Sequence, residues 1–331
     1  ITVSSTTGNG IFISNSAIGY VIQGNTITLS GGGNGIQFTG VTTSFVVRGN
    51  RITGSAKGIA LGGSGLIANN MVEATSNAVE IISPNGLSVL FNTLVSTGAA
   101  SALNVTNGSA GVLTLANNVF SCPGGGVPLN LQNTTFSLIG SSDYNDFYTT
   151  GVTTATLNAI NYSSLAAWRS ASGFDPHSVA VNPVFASSID LHSNSSFLNN
   201  AGTPLGSVLD DIDGEVRSLT TPDIGADEFN STLTPMAGIF VIGSGGDYAA
   251  MSAATADLIA RGVSGPASFL INTGTYNEVT ALTPVAGANP VNRVRFVSQT
   301  GNAADVVLSF TAAATTGADA PILLSGARYV D

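Results

Sequence analysis

Cysteine, charge and long apolar runs are scarce in this chain, and each scarcity excludes a class of protein. One cysteine, Cys122, among 331 residues excludes an intrachain disulfide framework and thiolate zinc sites. Charged residues make up 8% and the net charge is −10, which argues against nucleic acid as a partner. Mean hydropathy is +0.34, yet no apolar run reaches the ~18 residues that suggest a spanning helix. We therefore expect no membrane insertion.

Acidic residues are almost absent from the first 142 residues, where Glu73 and Glu80 are the only two. Glycoside hydrolysis needs at least two facing carboxylates. Lyase chemistry on an acidic sugar needs several oxygen ligands for calcium and a base. We interpret both glutamates as solvated surface groups and predict no catalytic residue, and hence no enzyme.

A short pattern does return, five times between residues 9 and 122. Each copy holds an asparagine-containing turn preceded by an alternating apolar run, and glycine and asparagine supply the bends. An amide side chain both donates and accepts, so stacked asparagines can form an internal hydrogen-bonded ladder. The repeated asparagines are Asn25, Asn50, Asn70, Asn92 and Asn118.

A recurring unit of short strands without helices is typical of a β-solenoid. The predicted fold is all-β, with parallel coils stacked about 4.8 Å apart. The alternative is a β-sandwich with Asn-Gly hairpins. That alternative explains turns such as Asn9-Gly10, but it does not predict a unit with fixed internal order.

The chain divides into four predicted regions. Residues 1–135 are β-helix coils, 136–229 hold the last coils and a loop-rich acidic closing segment, and 230–235 form a linker. Residues 236–331 hold a capping helix, expected over 248–261, and the first coils of a next module. A second helix is expected near 162–169, with Ser163 or Ser164 as its N-cap and Trp168 anchoring it to the side of the solenoid.

Within the closing segment, residues 201–229 carry seven of the 19 acidic residues. Asp211, Asp213 and Glu215 alternate around Gly214, which superficially suggests a calcium loop. The spacing lacks the rest of an EF-hand loop. The alternative is a structural network of turns and ion pairs around Arg217, with Asp213, Asp223 and Asp227 as structural residues.

Aromatic and histidine residues supply the remaining candidates. The polar-aromatic segment 141–148 is expected to be a loop, and Tyr144, Phe147 and Tyr148 are candidate ligand contacts, for example to glycans. The histidines, His177 and His192, have no Cys or second His nearby in sequence. We therefore expect packing or surface hydrogen bonds from them rather than a metal site.

Two motifs carry a resemblance to a known family. The segments Asp211-Ile212-Asp213-Gly214-Glu215-Val216-Arg217 and Pro222-Asp223-Ile224-Gly225-Ala226-Asp227-Glu228 resemble the closing signature of secreted bacterial right-handed parallel β-helix (pectate-lyase-like) repeat proteins. The resemblance is strong over about 140–229 and looser over the coils. It departs at Phe197, where that family usually has proline. It implies a right-handed coil and an extracellular, cell-surface or secreted location.

The order of these regions suggests a role. Residues 236–331 are similar to the opening of such a β-helix, and the strand-like segments 321–324 and 328–331 would continue into Ile1-Thr2-Val3. We expect one period of a tandem array, with circular permutation as the alternative. The predicted function is a non-catalytic structural module of an extracellular fibre or surface protein whose partners are neighbouring copies. The alternative is a carbohydrate-binding or polysaccharide-degrading β-helix, an adhesin or a lyase- or hydrolase-like protein.

Overall fold

The computed structural model describes residues 2–14, 18–107, 113–311 and 320–331. The chain forms two compact units, residues 1–231 and 232–331. Their boundary falls inside the predicted linker. Ile1, expected to be a strand residue, lies outside the described residues. Parallel strand pairing dominates both units, so the predicted all-β, parallel β-helix fold is confirmed.

The strands of unit 1 are short and regularly spaced, apart from three long ones that bend through two faces of the coil. In chain order they are β1 (Thr2–Ser5), β2 (Ile11–Ile13), β3 (Val21–Gln23), β4 (Thr26–Leu29), β5 (Ile36–Arg48), β6 (Arg51–Ser55), β7 (Ile59–Ala68), β8 (Met71–Ala74), β9 (Val79–Leu90), β10 (Thr93–Ser96), β11 (Leu103–Thr106), β12 (Leu113–Ala116), β13 (Val119–Cys122), β14 (Leu129–Gln132), β15 (Ile139–Asp143), β16 (Asp146–Thr149), β17 (Ala155–Leu157) and β18 (Ile160–Tyr162). A 3₁₀ turn covers Phe136–Leu138, and helix α1 covers Leu165–Ser172.

Two sheets stack these coils in register. One has the order β1-β4-β6-β8-β10-β13-β16, and the other runs from β2 through β5, β7, β9, β11 and β14 to β17 and β18. Because equivalent positions pair directly, apolar side chains of one position form a continuous inward column. One such column is Val3, Ile27, Ile52, Val72, Leu94, Phe120 and Phe147. Burial of these columns is the main stabilising contribution to the unit.

Each coil turns a corner at a residue with left-handed backbone conformation. Gly24 and Gly49 occupy this corner in the first coils, with φ of 65° and 61°, where glycine carries no steric cost. Later coils place Asn69, Phe91 and Asn117 there, with φ between 52° and 57°. The ladder asparagine follows directly after the corner in every case. The same repeated turn therefore produces the left-handed corner and places the asparagine in the ladder.

The segment 141–148 is part of a further coil, and its prediction as a loop was wrong. Strands β15 and β16 flank a corner at Tyr144, whose φ is 56°. Asn145 follows this corner as another ladder residue. Its neighbours are aspartates and aromatic residues instead of glycine and apolar residues, which masked the repeat.

Helix α1 closes the end of this stack. Ser164 is its N-cap and accepts a hydrogen bond from the Ala167 backbone N–H, and Gly173 ends it with φ of 75°. Trp168 is fully buried in the main core and contacts Phe136 and Tyr162 edge-on. Trp168 thus plugs the end of the core, and the prediction that it docks on the side of the solenoid was wrong.

Unit 2 has its own core. Its strands are β19 (Met236–Ile242), β20 (Val263–Ile271), β21 (Gly274–Asn277), β22 (Thr280–Leu282), β23 (Val294–Ser298), β24 (Val306–Ser309) and β25 (Ile322–Leu324), with helix α2 (Met251–Arg261) and a 3₁₀ turn at Ala303–Asp305. Every strand pair in it is parallel. The α2 side chains Met251, Ala254 and Leu258 pack against this core.

Helix α2 begins three residues later than predicted. Tyr248 is in a parallel bridge with Ile242 instead of the first turn. The helix N-terminus is capped by Glu278, whose carboxylate accepts hydrogen bonds from the backbone N–H of Met251 at 2.8 Å and of Ser252 at 3.0 Å. The predicted stop at Gly262 is confirmed.

Candidate functional site

The asparagine ladder runs through the buried corner of the coils in unit 1. Asn92 is typical: its Nδ2 donates to Ile67 O, Leu90 O and Asn118 Oδ1 at 2.9–3.0 Å. Its Oδ1 accepts from the backbone N–H and the Nδ2 of Asn70. Asn25, Asn50, Asn70, Asn92 and Asn118 are all buried and connect in this order. The predicted ladder is confirmed.

The ladder is closed at one end by groups that the sequence did not reveal. Asn145, a rung the prediction missed, accepts from Asn118. Its backbone N–H then donates to Ser178 Oγ, and its Nδ2 donates to Asp175 Oδ1 at 3.2 Å. Trp168 Nε1 holds the other oxygen of Asp175 at 2.8 Å. Asp175 and Ser178 thus replace the next asparagine.

The first coil of unit 1, at the other end of the stack from Asp175 and Trp168, has an uncovered strand edge. Strands β1, β2 and β3 each pair on one side only within the described residues. Val3 and Ile11, which point inward, remain half-buried, whereas Ile27 and Ile36 in the next coil are fully buried. Phe12, Ile18 and Val21 are exposed nearby. This end presents unpaired backbone and uncovered apolar surface together.

The open end of unit 2 is similar. Strands β24 and β25 each have one partner within the described residues, and Val307, Leu323 and Leu324 are between 47% and 61% exposed. Helix α2 lies against β19 and β22 and covers the opposite part of the core. Each unit therefore has one end covered by a helix and one uncovered strand edge.

The closing segment packs along the flank of the coils of unit 1 through Arg217. The guanidinium of Arg217 donates to Asn69 Oδ1, Gly225 O and Glu228 Oε2. Its Cζ lies 4.0 Å from the ring centroid of Phe91. Arg217 is 3% exposed. A structural network around Arg217 is therefore present and binds the segment to two coil corners, but its ion-pair partner is Glu228. The predicted member Asp213 pairs with Arg51 and His192 instead.

Buried aspartates fix the turns of this segment. Asp211 accepts hydrogen bonds from the backbone N–H groups of Asp213, Glu215 and Glu228. Asp223 accepts from those of Asn200 and Phe229. Burial raises the pKa of Asp223 to about 6, although these N–H groups lower it.

The three calcium candidates are not brought together. The Asp211 carboxylate is occupied by backbone N–H groups, and Glu215 is exposed. Only Asp213 belongs to a group of converging metal-ligating side chains, and its partners there are His192 and Asp227. The alternation around Gly214 creates a turn, in which Asp211 accepts backbone N–H groups.

His192, Asp213 and Asp227 form a cluster that sequence reasoning did not assemble. Their ligand atoms lie within 4.8 Å of one another. His192 Nε2 is 2.8 Å from Asp213 Oδ2, and its Nδ1 contacts Asp190. Arg51, at the start of β6, holds the other oxygen of Asp213 at 2.5 Å. Asp213 is 21 residues from His192 and 162 residues from Arg51 in sequence. No local motif therefore predicts the cluster.

Asp227 is the unusual member of this cluster. Its side chain is 8% exposed, and no described residue donates a hydrogen bond to its carboxylate or forms an ion pair with it. Burial raises the pKa of Asp227 to about 6, and Asp211, Asp213 and Glu215 add to the increase while His192 opposes it. Burial lowers the pKa of His192, but hydrogen bonds to Asp190 and Asp213 outweigh it and raise that pKa.

The aromatic ligand-contact candidates are separated by the fold. Phe147 ends an inward apolar column and is 1% exposed, so its prediction as a ligand contact was wrong. Tyr144 stacks on His177 with centroids 4.8 Å apart, and His177 Nδ1 pairs with Asp143. Tyr148 is half-buried, and burial raises the pKa of its hydroxyl. These rings do not form one binding platform.

The two glutamates of the coils are engaged by the protein. Glu73 is 7% exposed and accepts from the Gly54 N–H and the Thr97 hydroxyl. Glu80 forms an ion pair with Lys57. Their interpretation as solvated groups was wrong, because neighbouring coils supply partners. Cys122 is fully buried, and burial raises the pKa of its thiol to about 12.

No protein-family model, curated protein or solved structure matches the chain. Of the helices in the described ranges, none has the length and apolar character needed to cross a membrane.

Proposed function

We propose that this chain is a non-catalytic structural module that assembles end to end with further copies through β-helix stacking. The observation that carries the proposal is the uncovered first coil of unit 1. There, strand edges without a partner among the described residues lie beside half-buried inward residues and exposed apolar side chains. An open edge of this kind is a template for pairing with another chain.

The uncovered edge of unit 2 is the complementary surface. It offers parallel strands β24 and β25 and exposed apolar residues. A coil of one copy placed on the first coil of another would pair both edges and bury both apolar surfaces. The helices cover the other ends, so this contact has one polarity and repeats head to tail. Such a heterologous contact generates a filament when the rotation does not close into a ring.

The engaged glutamates also support a non-catalytic role. Glu73 and Glu80 are held by Gly54, Thr97 and Lys57 and do not face each other across a groove. The alternative, carbohydrate binding, would rest on a polar groove lined by Asn130, Gln132, Thr156 and Asn158. That groove is lined by no aromatic residue on which a sugar could stack, so we favour the structural role. The proposed setting is extracellular, at the cell surface.

A single substitution at the open coil tests this proposal. Val3→Asp puts a charge into the inward column at the open end, and Val152→Asp changes a residue that is 84% exposed elsewhere. We expect the wild type and Val152→Asp to form concentration-dependent assemblies in light scattering after size-exclusion chromatography, and Val3→Asp to remain monomeric. Monomers in all three, or assembly unchanged by Val3→Asp, would overturn the proposal.

A further inference from the structure

We infer that His192, Asp213 and Asp227 bind a divalent transition-metal ion of the zinc type on the flank of unit 1. The cluster combines one imidazole nitrogen with two carboxylates, and their ligand atoms lie within 4.8 Å of one another. Calcium and magnesium take oxygen ligands, whereas zinc and related ions accept imidazole and carboxylate together. Three protein ligands would leave the fourth position of a tetrahedral ion to water.

Asp227 is the observation that points to a ligand. Buried carboxylates are normally hydrogen-bonded or paired, because desolvating an uncompensated charge is costly. Asp227 is 8% exposed and has neither kind of partner among the described residues, yet its carboxylate points into the cluster. Its neighbours Asp211 and Asp223 are saturated by backbone N–H groups. A cation would supply the partner that this carboxylate lacks among the described residues.

The surrounding contacts hold the other two ligands in suitable orientations. Asp190 contacts Nδ1 of His192 and would keep that nitrogen protonated, so that Nε2 faces the ion. This is the carboxylate–histidine–metal arrangement common around zinc. Arg51 binds Oδ1 of Asp213 and leaves Oδ2 for the ion. The ion would replace the present hydrogen bond between His192 and Asp213.

The charge of the region also favours a divalent cation. Asp190, Asp213 and Asp227 contribute three carboxylates, with Asp211 and Glu215 close enough to act on Asp227. Arg51 is the cation that contacts the cluster. Arg51 belongs to β6 and binds Asp213, so the proposed ion would lie beside the contact that joins residues 190–227 to the coils.

The test is titration of the chelator-treated full chain with Zn²⁺ by calorimetry, and with Co²⁺ by visible absorption. We expect one ion per chain and cobalt bands typical of tetrahedral coordination. His192→Gln and Asp227→Asn should each weaken binding at least tenfold, and Asp190→Asn by a factor of about 10–100. His177→Gln is the matched control, because His177 also pairs with an aspartate but lies in no such cluster.

Circular dichroism of each variant separates loss of the site from loss of the fold. Asp227→Asn removes no hydrogen bond to any residue that the structure describes, so we expect it to fold like the wild type. Absence of stoichiometric Zn²⁺ or Co²⁺ binding would overturn the inference. So would binding that persists in folded His192→Gln and Asp227→Asn, or Ca²⁺ binding tighter than Zn²⁺ that His192→Gln does not affect. Metal binding is measured per chain, so it can fail or succeed whether or not the chains assemble end to end.

Discussion

Replacing a central rung of the asparagine ladder should destabilise unit 1 far more than replacing its first rung. Asn92 is fully buried, and its side chain has five hydrogen-bond partners. Three of these partners share the two N–H groups of Nδ2, so the contacts amount to about four hydrogen bonds. Each contributes about 1 kcal/mol net. Asn92→Ala should therefore lower the free energy of unfolding by about 4 kcal/mol, a large part of the stability of a typical domain.

Asn25 provides the comparison within the same ladder. Its side chain donates to Gln23 O and Asn50 Oδ1, and no described residue donates to its Oδ1. Asn25→Ala should cost about 2 kcal/mol. Asn130→Ala is the control outside the ladder, because Asn130 is half-buried and its side chain makes no hydrogen bond to the described residues. We expect a change under about 0.5 kcal/mol there.

Chemical denaturation followed by circular dichroism measures all three variants. Amide hydrogen exchange of β8, β10 and β13 adds a local readout, since neighbouring coils lose their partners when Asn92 is changed. Equal costs for Asn92→Ala and Asn25→Ala, or a cost below about 1.5 kcal/mol for Asn92→Ala, would refute the claim that the ladder stabilises the coil corner.

Two further predictions concern the helices. Trp168→Phe removes the Nε1–H donor to buried Asp175 and should cost about 1.5–3 kcal/mol in denaturant unfolding. Tyr162→Phe, in the same aromatic cluster, should be nearly neutral, and equal effects would contradict the assignment. Glu278→Ala removes the α2 cap and should cost about 1 kcal/mol at pH 7. Burial raises the pKa of Glu278, but hydrogen bonds from Ser252 and Met251 outweigh it and lower that pKa. The stabilisation is thus present above pH ~4.3 and lost as the pH falls. A melting-temperature difference that persists at pH 2 would contradict this.

The coil architecture was predictable from the sequence because it depends on local repeats. Asparagine, glycine and alternating apolar residues recur in fixed order, so Asn25 to Asn118 and the inward columns follow from spacing alone. Asn145 was missed because its coil carries Asp143, Tyr144 and Asp146 in place of the usual residues. The residues around Asn145 differ from those of the other coils, but the left-handed corner at Tyr144 and the hydrogen bond from Asn118 are the same.

The contacts made across long sequence distances could not be predicted. Glu278 caps a helix that begins 27 residues earlier, and Arg51 binds an aspartate 162 residues away. The spacing of Asp211, Asp213 and Glu215 does not reveal that three backbone N–H groups donate to Asp211. Which side chains converge on His192 depends on how the closing segment folds back over the coils.

Cryo-electron microscopy of the native material tests the central claim most directly. We expect filaments with an axial repeat of one module. Strand density spaced about 4.8 Å apart should continue from the edge of unit 2 into the first coil of unit 1 of the next copy. Discrete particles whose first coil is exposed to solvent would contradict it.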